Sequence, residues 1–239
     1  MPAEKPRFYD AKVSKITELS ATVKHFVLDY APDADTSFKA GQFMMVHLEK
    51  EGKPHKKPYS IASSPSLKNR IELCIKLVEG GYVSTWFFGL KPGDVLHTSL
   101  PYGVFTIREP WPERLIFVAT GTGVAPMRGM IQNLYEKGCD KEIWLIFGNR
   151  HEDEILYLDE WRKLEAQHKN FRFLPTISKP RHWTGETAYV QEIVKRRFAG
   201  QFDNCAFYGC GLVPMCQQLK KTLLEMGVPK EKIHFEIFT

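Results

Sequence analysis

The chain has 239 residues, 43% of them hydrophobic and 26% charged, enough for one large or two ordinary domains with real cores. The formal net charge is +5, but Lys and Arg alternate with Asp and Glu almost throughout, and the absence of a basic tail or a nucleic-acid motif weighs against nucleic-acid binding. No apolar run reaches membrane-spanning length, and the polar stretch Met1 to Tyr9 does not read as a signal peptide.

Short extended segments dominate the first part of the chain. Ala11 to Leu19, Thr22 to Tyr30, Phe43 to Leu48 and Ile71 to Leu77 combine branched or aromatic residues with turn-rich flanks. They predict a small antiparallel barrel or sandwich. Gly80-Gly81 followed by Tyr82 to Phe88 predicts a turn into a short helix, and Leu90 to Asp94 a tight connection before a strand at Val95 to Ser99. Pro110 and Pro112 then interrupt any regular element, which sets a boundary near residues 108–113 and divides 1–110 from 111–239.

Beyond the boundary the pattern changes to alternation. Strands at Leu115 to Ala119, Ile143 to Gly148, Phe171 to Thr176 and Cys205 to Gly209 are separated by helices at Met127 to Lys137, Leu158 to His168, Ala188 to Phe198 and Met215 to Met226. Ile233 to Phe238 returns to the sheet. The fold class expected is an all-β antiparallel barrel followed by an α/β domain with a parallel sheet covered on both faces. No internal repeat or low-complexity segment is present.

Five cysteines, at 74, 139, 205, 210 and 216, form no CxxC pair; their odd number and scattered spacing argue for reduced thiols in a cytoplasmic compartment. They provide no iron–sulfur ligand cluster. The eight histidines fall at no recognisable metal spacing, which weighs against a zinc hydrolase, and no metal is expected.

The most informative stretch is Gly121-Thr122-Gly123-Val124-Ala125-Pro126, between the buried run Leu115 to Ala119 and the helix that follows. Glycines here let the backbone approach a ligand closely, and the helix turns its free N–H groups toward an anion. A dinucleotide pyrophosphate suits such a seat. The glycine spacing differs from the usual dinucleotide fingerprint, so the run by itself also reads as an ordinary strand-to-helix turn.

Four more pieces join it: Lys57-Pro58-Tyr59-Ser60, Gly81-Tyr82-Val83-Ser84-Thr85, Tyr208-Gly209-Cys210-Gly211 and His234-Phe235-Glu236-Ile237-Phe238. In this order, from about residue 8 onward, the chain resembles the ferredoxin–NADP reductase superfamily of two-domain flavoproteins. The resemblance implies FAD on the barrel and NAD(P)H on the α/β domain. It implies that Tyr59 lies against the flavin ring and that Ser60 approaches its reactive nitrogen. Lys57 stands where the family usually has Arg, keeping the charge that neutralises phosphate without the planar fork. Gly81, Val83, Ser84 and Thr85 correspond to a second flavin-phosphate site, with Ser84 expected to cap a helix at Thr85 to Phe88 and Lys76 to assist electrostatically. Pro101 to Phe105 resembles the segment that closes the flavin domain, with Phe105 read as core.

The same resemblance places nicotinamide near Cys210, Gly211 and Glu236, on the flavin face opposite Tyr59. Ser60, Cys210 and Glu236 are then the catalytic candidates, Cys210 positioning the ring rather than acting as a nucleophile. Phe238 would shield the flavin as a mobile residue one position before Thr239. Pyrophosphate contacts fall to Gly121, Thr122, Gly123 and Pro126. Ser178, Lys179 and Tyr189 lie near positions that read an adenosine 2′-phosphate, although Thr187 occupies a place where arginine often strengthens it. Trp183-Thr184-Gly185 resembles a loop of both specificity classes, so NADPH is only slightly favoured over NADH. Phe147 to Arg150 and Leu156 to Leu158 match the general pattern, and Arg150 is either a dinucleotide contact or a solvated arginine.

Taken singly, these residues keep other readings open. Lys57 to Ser60 can be a solvated basic turn before a core tyrosine, Ser84 a simple cap, and Lys76 a solvated strand residue. Cys210 can be an inert buried thiol, Glu236 a surface carboxylate, and Phe238 a core ring. The function expected is an FAD-dependent reductase that accepts hydride from NAD(P)H and passes electrons to a separate protein such as ferredoxin, flavodoxin or an oxygenase component. The alternatives are a reductase of free flavin or a small oxidant, and a flavin-binding redox-sensing module. A basic loop of Lys50, Lys53, His55, Lys56 and Lys57 would steer an acidic partner, or is a solvated loop balanced by Glu49 and Glu51.

Overall fold

In a computed structural model the structure describes residues 5–238; Met1–Glu4, part of the stretch read as lacking a signal peptide, and Thr239 lie outside it. The chain divides into two compact units, Met1–Thr106 with Arg128–Glu136, and Ile107–Met127 with Lys137–Thr239.

The first unit is built on six antiparallel strands: β1 (Arg7–Ser20), β2 (Val23–Asp29), β3 (Phe43–Lys50), β4 (Lys53–Ser60), β5 (Arg70–Lys76) and β6 (Val95–Tyr102). Their order is β4-β3-β6-β1-β2-β5. The sheet curls until its ends meet, through a bridge between Ile61 and Leu73 and a 2.8 Å bond from Ala62 N–H to the Glu72 carbonyl. These contacts close the barrel just past β4 and leave Lys53 to Pro58 as an edge. Period-two alternation sends Phe26 and Leu28 of β2, Met44 and Val46 of β3, and Ile71, Leu73 and Ile75 of β5 into one core. Helix α1 (Tyr82–Gly89) contributes Phe87 to it, edge-on to Phe26 at 5.2 Å and to Tyr59 at 5.0 Å. The expected barrel is therefore present.

Strand β4 is a correction to the sequence reading. The lysine-rich loop expected there is a β-hairpin with β3, turning at Glu51-Gly52 and running in register from Lys50↔Lys53 to Phe43↔Ser60. Pro54, Pro58 and three lysines hide the strand signal because they look like a breaker-rich loop. On the outermost strand, proline and lysine are tolerated.

On the outer face of β2 and β5, His25 is 8% exposed, with Nε2 3.8 Å from Glu72 Oε2. Burial lowers its pKa to about 4, Glu72 opposing the shift and Arg128 and Lys15 adding to it. The unfolded chain thus binds this proton first as pH falls. Stability contributed by neutral His25 is complete above pH ~6.5 and is lost on descending toward pH ~4, by on the order of 3 kcal/mol. Denaturant midpoints across that window should fall less steeply for a His25→Gln chain; equal slopes would refute the assignment.

The second unit holds β7 (Arg114–Thr120), β8 (Glu142–Asn149), β9 (Phe171–Ile177), β10 (Cys205–Leu212) and β11 (Ile233–Phe238), all parallel in the order β11-β10-β7-β8-β9. Between them run α2 (Val124–Glu136), α3 (Leu158–Gln167), α4 (Val190–Phe198) and α5 (Val213–Glu225). Ile193 and Val194 of α4 and Leu219 and Leu223 of α5 pack on Ile116, Val118 and Ile146. Trp161 of α3 is fully buried, 6.3 Å from the rings of both Phe171 and Phe173. Helix α2 starts three residues before the expected Met127, since Pro126 sits in its first turn where the missing N–H costs no intrahelical bond. Among the described residues no helix is long and apolar enough to cross a membrane.

Candidate active site

In the first unit, cross-strand register aligns Tyr59 with Met44 and Lys57 with Val46, so both share the face of the fully buried Met44 and Val46. Burial raises the Tyr59 phenol to about 12. Ser60 ends β4 opposite Phe43 and is 8% exposed.

Helix α1 begins at Tyr82, with Gly81 at its N-cap and no side-chain capping bond. Ser84 is therefore not the cap: it lies in the first turn, where its hydroxyl accepts the Val78 N–H at 3.1 Å and donates to the Gly81 carbonyl at 3.0 Å. The serine closes the turn that enters the helix instead of occupying the helix end. First-turn N–H groups at Tyr82, Val83 and Ser84 have no intrahelical acceptor, and they present the positive end of the helix. Tyr82 ties the hairpin to this end, with Lys50 Nζ 4.8 Å from its ring centroid, the His55 ring at 5.8 Å, and its hydroxyl donating to the Glu49 carbonyl at 3.2 Å. Strand β4 thus lies along α1, with Tyr59 against Phe87 at 5.0 Å and His55 against Tyr82 at 5.8 Å, so that a strand carrying Lys57 and Tyr59 runs beside a helix whose N-cap and first turn hold Gly81, Val83, Ser84 and Thr85. Lys76 ends β5, exposed on the face that carries Cys74 and Glu72.

In the second unit the C-terminal ends of the parallel strands form the other site. Gly121, Thr122 and Gly123 make a 3-10 turn between β7 and α2, with Pro126 in the following turn. A Cβ at Gly123 would lie 2.7 Å from Gly211 Cα and closer still to the Cys210 carbonyl, so only glycine lets the turn rest on β10. Thr120 Oγ1, next to Gly211, is buried with no hydrogen-bond partner. An orphaned hydroxyl beside a helix N-terminus suits a polar ligand.

Cys210 is directly opposite Glu236 in the β10–β11 register, and Leu212 opposite Phe238. The Cys210 thiol is fully buried and held well above its usual range, first by burial, then by Glu236 and Cys216. It is a protonated packing group at neutral pH, in keeping with the non-nucleophilic role expected of it. Phe238 ends β11 half-buried. At the β8 and β9 ends, Ser178 N–H donates to the Asn149 carbonyl at 3.0 Å and Lys179 N–H to the Arg150 carbonyl at 2.8 Å. These bonds bring Arg150, Ser178 and Lys179 together. Tyr189 precedes α4 and is 62% exposed.

The sequence reading missed three residues. Thr120 adjoins the glycine run but carries no signal until its hydroxyl is seen to be orphaned. Tyr82 reads as an ordinary helix residue. Glu152 accepts the N–H groups of His182 at 2.6 Å and Arg181 at 3.2 Å, holding the loop after Lys179. Its carboxyl is lowered by its own backbone N–H and those of His182 and Arg181. Nothing local in the sequence links residues so far apart.

Comparison with known proteins defines the class. The family profile described as "Oxidoreductase FAD-binding domain" matches residues 10–107, and "Oxidoreductase NAD-binding domain" matches residues 117–221. The chain is thus an NAD(P)H-dependent flavoprotein oxidoreductase. It is 34% identical to ferredoxin–NADP reductase B of Sorangium cellulosum over 235 residues, spanning 95% of this chain and 96% of that protein. It belongs to the ferredoxin–NADP reductase family. Identity to the reductase component of phenol 2-monooxygenase from Pseudomonas sp. is 32%, spanning 96% of this chain and 65% of that one. A solved ferredoxin NADP+ reductase from Neisseria gonorrhoeae, with bound FAD and NADP, shares the fold at a TM-score of 0.84 and 21% identity, covering 96% of this chain and 98% of that one.

Proposed function

We propose that this chain takes hydride from NAD(P)H onto FAD and passes electrons to a separate protein of the ferredoxin, flavodoxin or oxygenase-component kind. Flavin, when bound, accepts a hydride and releases electrons singly. The observation that carries the reading is the close-packed Gly123 turn beside the orphaned Thr120 hydroxyl, following a barrel whose strand β4 carries Lys57 and Tyr59 alongside helix α1. The names of the Sorangium and Pseudomonas relatives support the acceptor class. In this reading residues 1–110 hold FAD and residues 111–239 the dinucleotide. Tyr59 excludes water from the ring, Lys57 and the α1 N-terminus neutralise phosphate, and Ser60 donates a hydrogen bond where charge develops. Cys210, Gly211 and Glu236 orient nicotinamide. Five buried cysteines, none in a disulfide, support a reducing, cytoplasmic compartment.

Purification without added cofactor, identification of the released flavin, and anaerobic titration with NADPH and with NADH test the proposal together. Reduction of a retained FAD is expected; a flavin that neither nucleotide reduces would overturn it. NADPH is favoured slightly, through Lys179. Lys179→Ala should raise the apparent Kd of NADPH roughly tenfold and leave that of NADH unchanged, as loss of one charge-assisted bond requires. Equal shifts for both would exclude recognition of the 2′-phosphate.

The β3–β4 hairpin supplies the docking element in this reading, with Lys53, Lys56 and Lys57 exposed along β4. Reversing Lys53 and Lys56 to Glu should slow association with an acidic carrier about tenfold at low salt and flatten its salt dependence. An unchanged salt dependence would move docking elsewhere.

A further inference from the structure

The segment leaving β4 is buried without being a strand. Ile61, Ala62 and Ser63 are 0% exposed and Ser64 is 1% exposed. A buried loop must find partners for its backbone groups, and these come from β5 and from the 128–136 portion of α2, all within the first unit. Arg128 Nη1 donates to the Ala62 carbonyl at 2.9 Å and to Glu72 Oε2 at 2.5 Å. Ser63 Oγ accepts the Glu72 N–H at 3.1 Å, and Ser64 N–H donates to Gln132 Oε1 at 3.2 Å. The Ser64 hydroxyl donates to Glu136, as does that of Ser66 at 2.8 Å. Gly129 permits the approach, since a Cβ there would lie 2.5 Å from the Ser63 carbonyl oxygen. The side chains of Arg128 and Glu72 are 11% and 16% exposed, so this ion pair works at low dielectric.

We propose that Arg128 is a positioning residue, which sets the direction of the Ser60 hydroxyl by clamping to Glu72 the carbonyl of Ala62, two residues beyond Ser60. The inference rests on the reading of Ser60 given above. A purely structural ion pair would also be costly to break, but it can be replaced as a pair by apolar side chains without lasting loss of stability. A positioning clamp cannot, because the Ala62 carbonyl then loses the Arg128 donor, although the bond from Ala62 N–H to the Glu72 carbonyl remains.

Arg128→Met should lower Tm and slow anaerobic single-turnover flavin reduction about 10- to 100-fold, the effect of a displacement on the ångström scale. The paired variant Arg128→Met/Glu72→Met should regain Tm yet stay slow, with FAD retention and apparent nucleotide Kd unchanged. Arg128→Lys keeps the charge beside Glu72 but loses the fork, and should reduce several-fold more slowly in a fully folded chain. Wild-type rates in the paired variant, or in folded Arg128→Lys, would overturn the proposal. Ser60→Ala, measured alongside, separates the two ideas. If it is slow while the Arg128 variants are fast, only the clamp falls; if it too reduces at the wild-type rate, the reading of Ser60 falls and the clamp with it.

Discussion

A Gly123→Val chain is expected to retain FAD and to lose reduction by NAD(P)H by at least about 100-fold, because the added side chain must displace the backbone of Cys210 and Gly211. Backbone cannot swing aside as a flexible side chain can. Overpacking at such a site costs about 1–3 kcal/mol, and it pushes the glycine turn off the strand that carries Cys210. The damage should fall on the dinucleotide: the two cores are separate clusters, so flavin bound to the barrel should still reduce with dithionite. A variant that reduces normally with NADPH or NADH would show that the turn is not a ligand seat. Loss of FAD as well would point to general unfolding.

Ser60→Ala should slow flavin reduction by roughly 10²-fold in single turnovers, the usual effect of removing one donor aimed at developing charge. Ser60 is already 8% exposed at the end of a paired strand, so removing one oxygen leaves the backbone register with Phe43 intact. FAD retention should hold within a factor of a few. A rate loss matched by an equal loss of bound FAD would make Ser60 a binding residue; an unchanged rate would remove it from the chemistry.

Much of this architecture was legible in the sequence because it is local. Branched and aromatic residues between turn-rich flanks announce the strands Val23–Asp29 and Arg70–Lys76, and strand–helix alternation after Pro112 announces a parallel sheet. What was hidden depends on pairing at a distance. The charged, proline-bearing β4 becomes a strand only because β3 lies beside it. Ser84 looks like a cap until Val78, six residues earlier, is seen to use its hydroxyl. Arg128 and Glu72 are 56 residues apart, and no periodicity connects them. Lys76 illustrates the reverse: a one-residue step along β5 decides its face, which composition cannot reveal.

The state of the thiols has a consequence for life in air. Reduced flavin leaks electrons to dioxygen, so a chain of this kind is exposed to hydrogen peroxide of its own making. All five cysteines are buried, and none is in a disulfide. Burial raises Cys139, Cys205 and Cys210, and brings Cys216 to about 11. Thiolate is the form that peroxide attacks, and at these four cysteines it is scarce and covered. The protein is thereby armoured against its own by-product, and its sulfur atoms should outlast many cycles of aerobic turnover without sulfenic acid or cross-linked dimers accumulating.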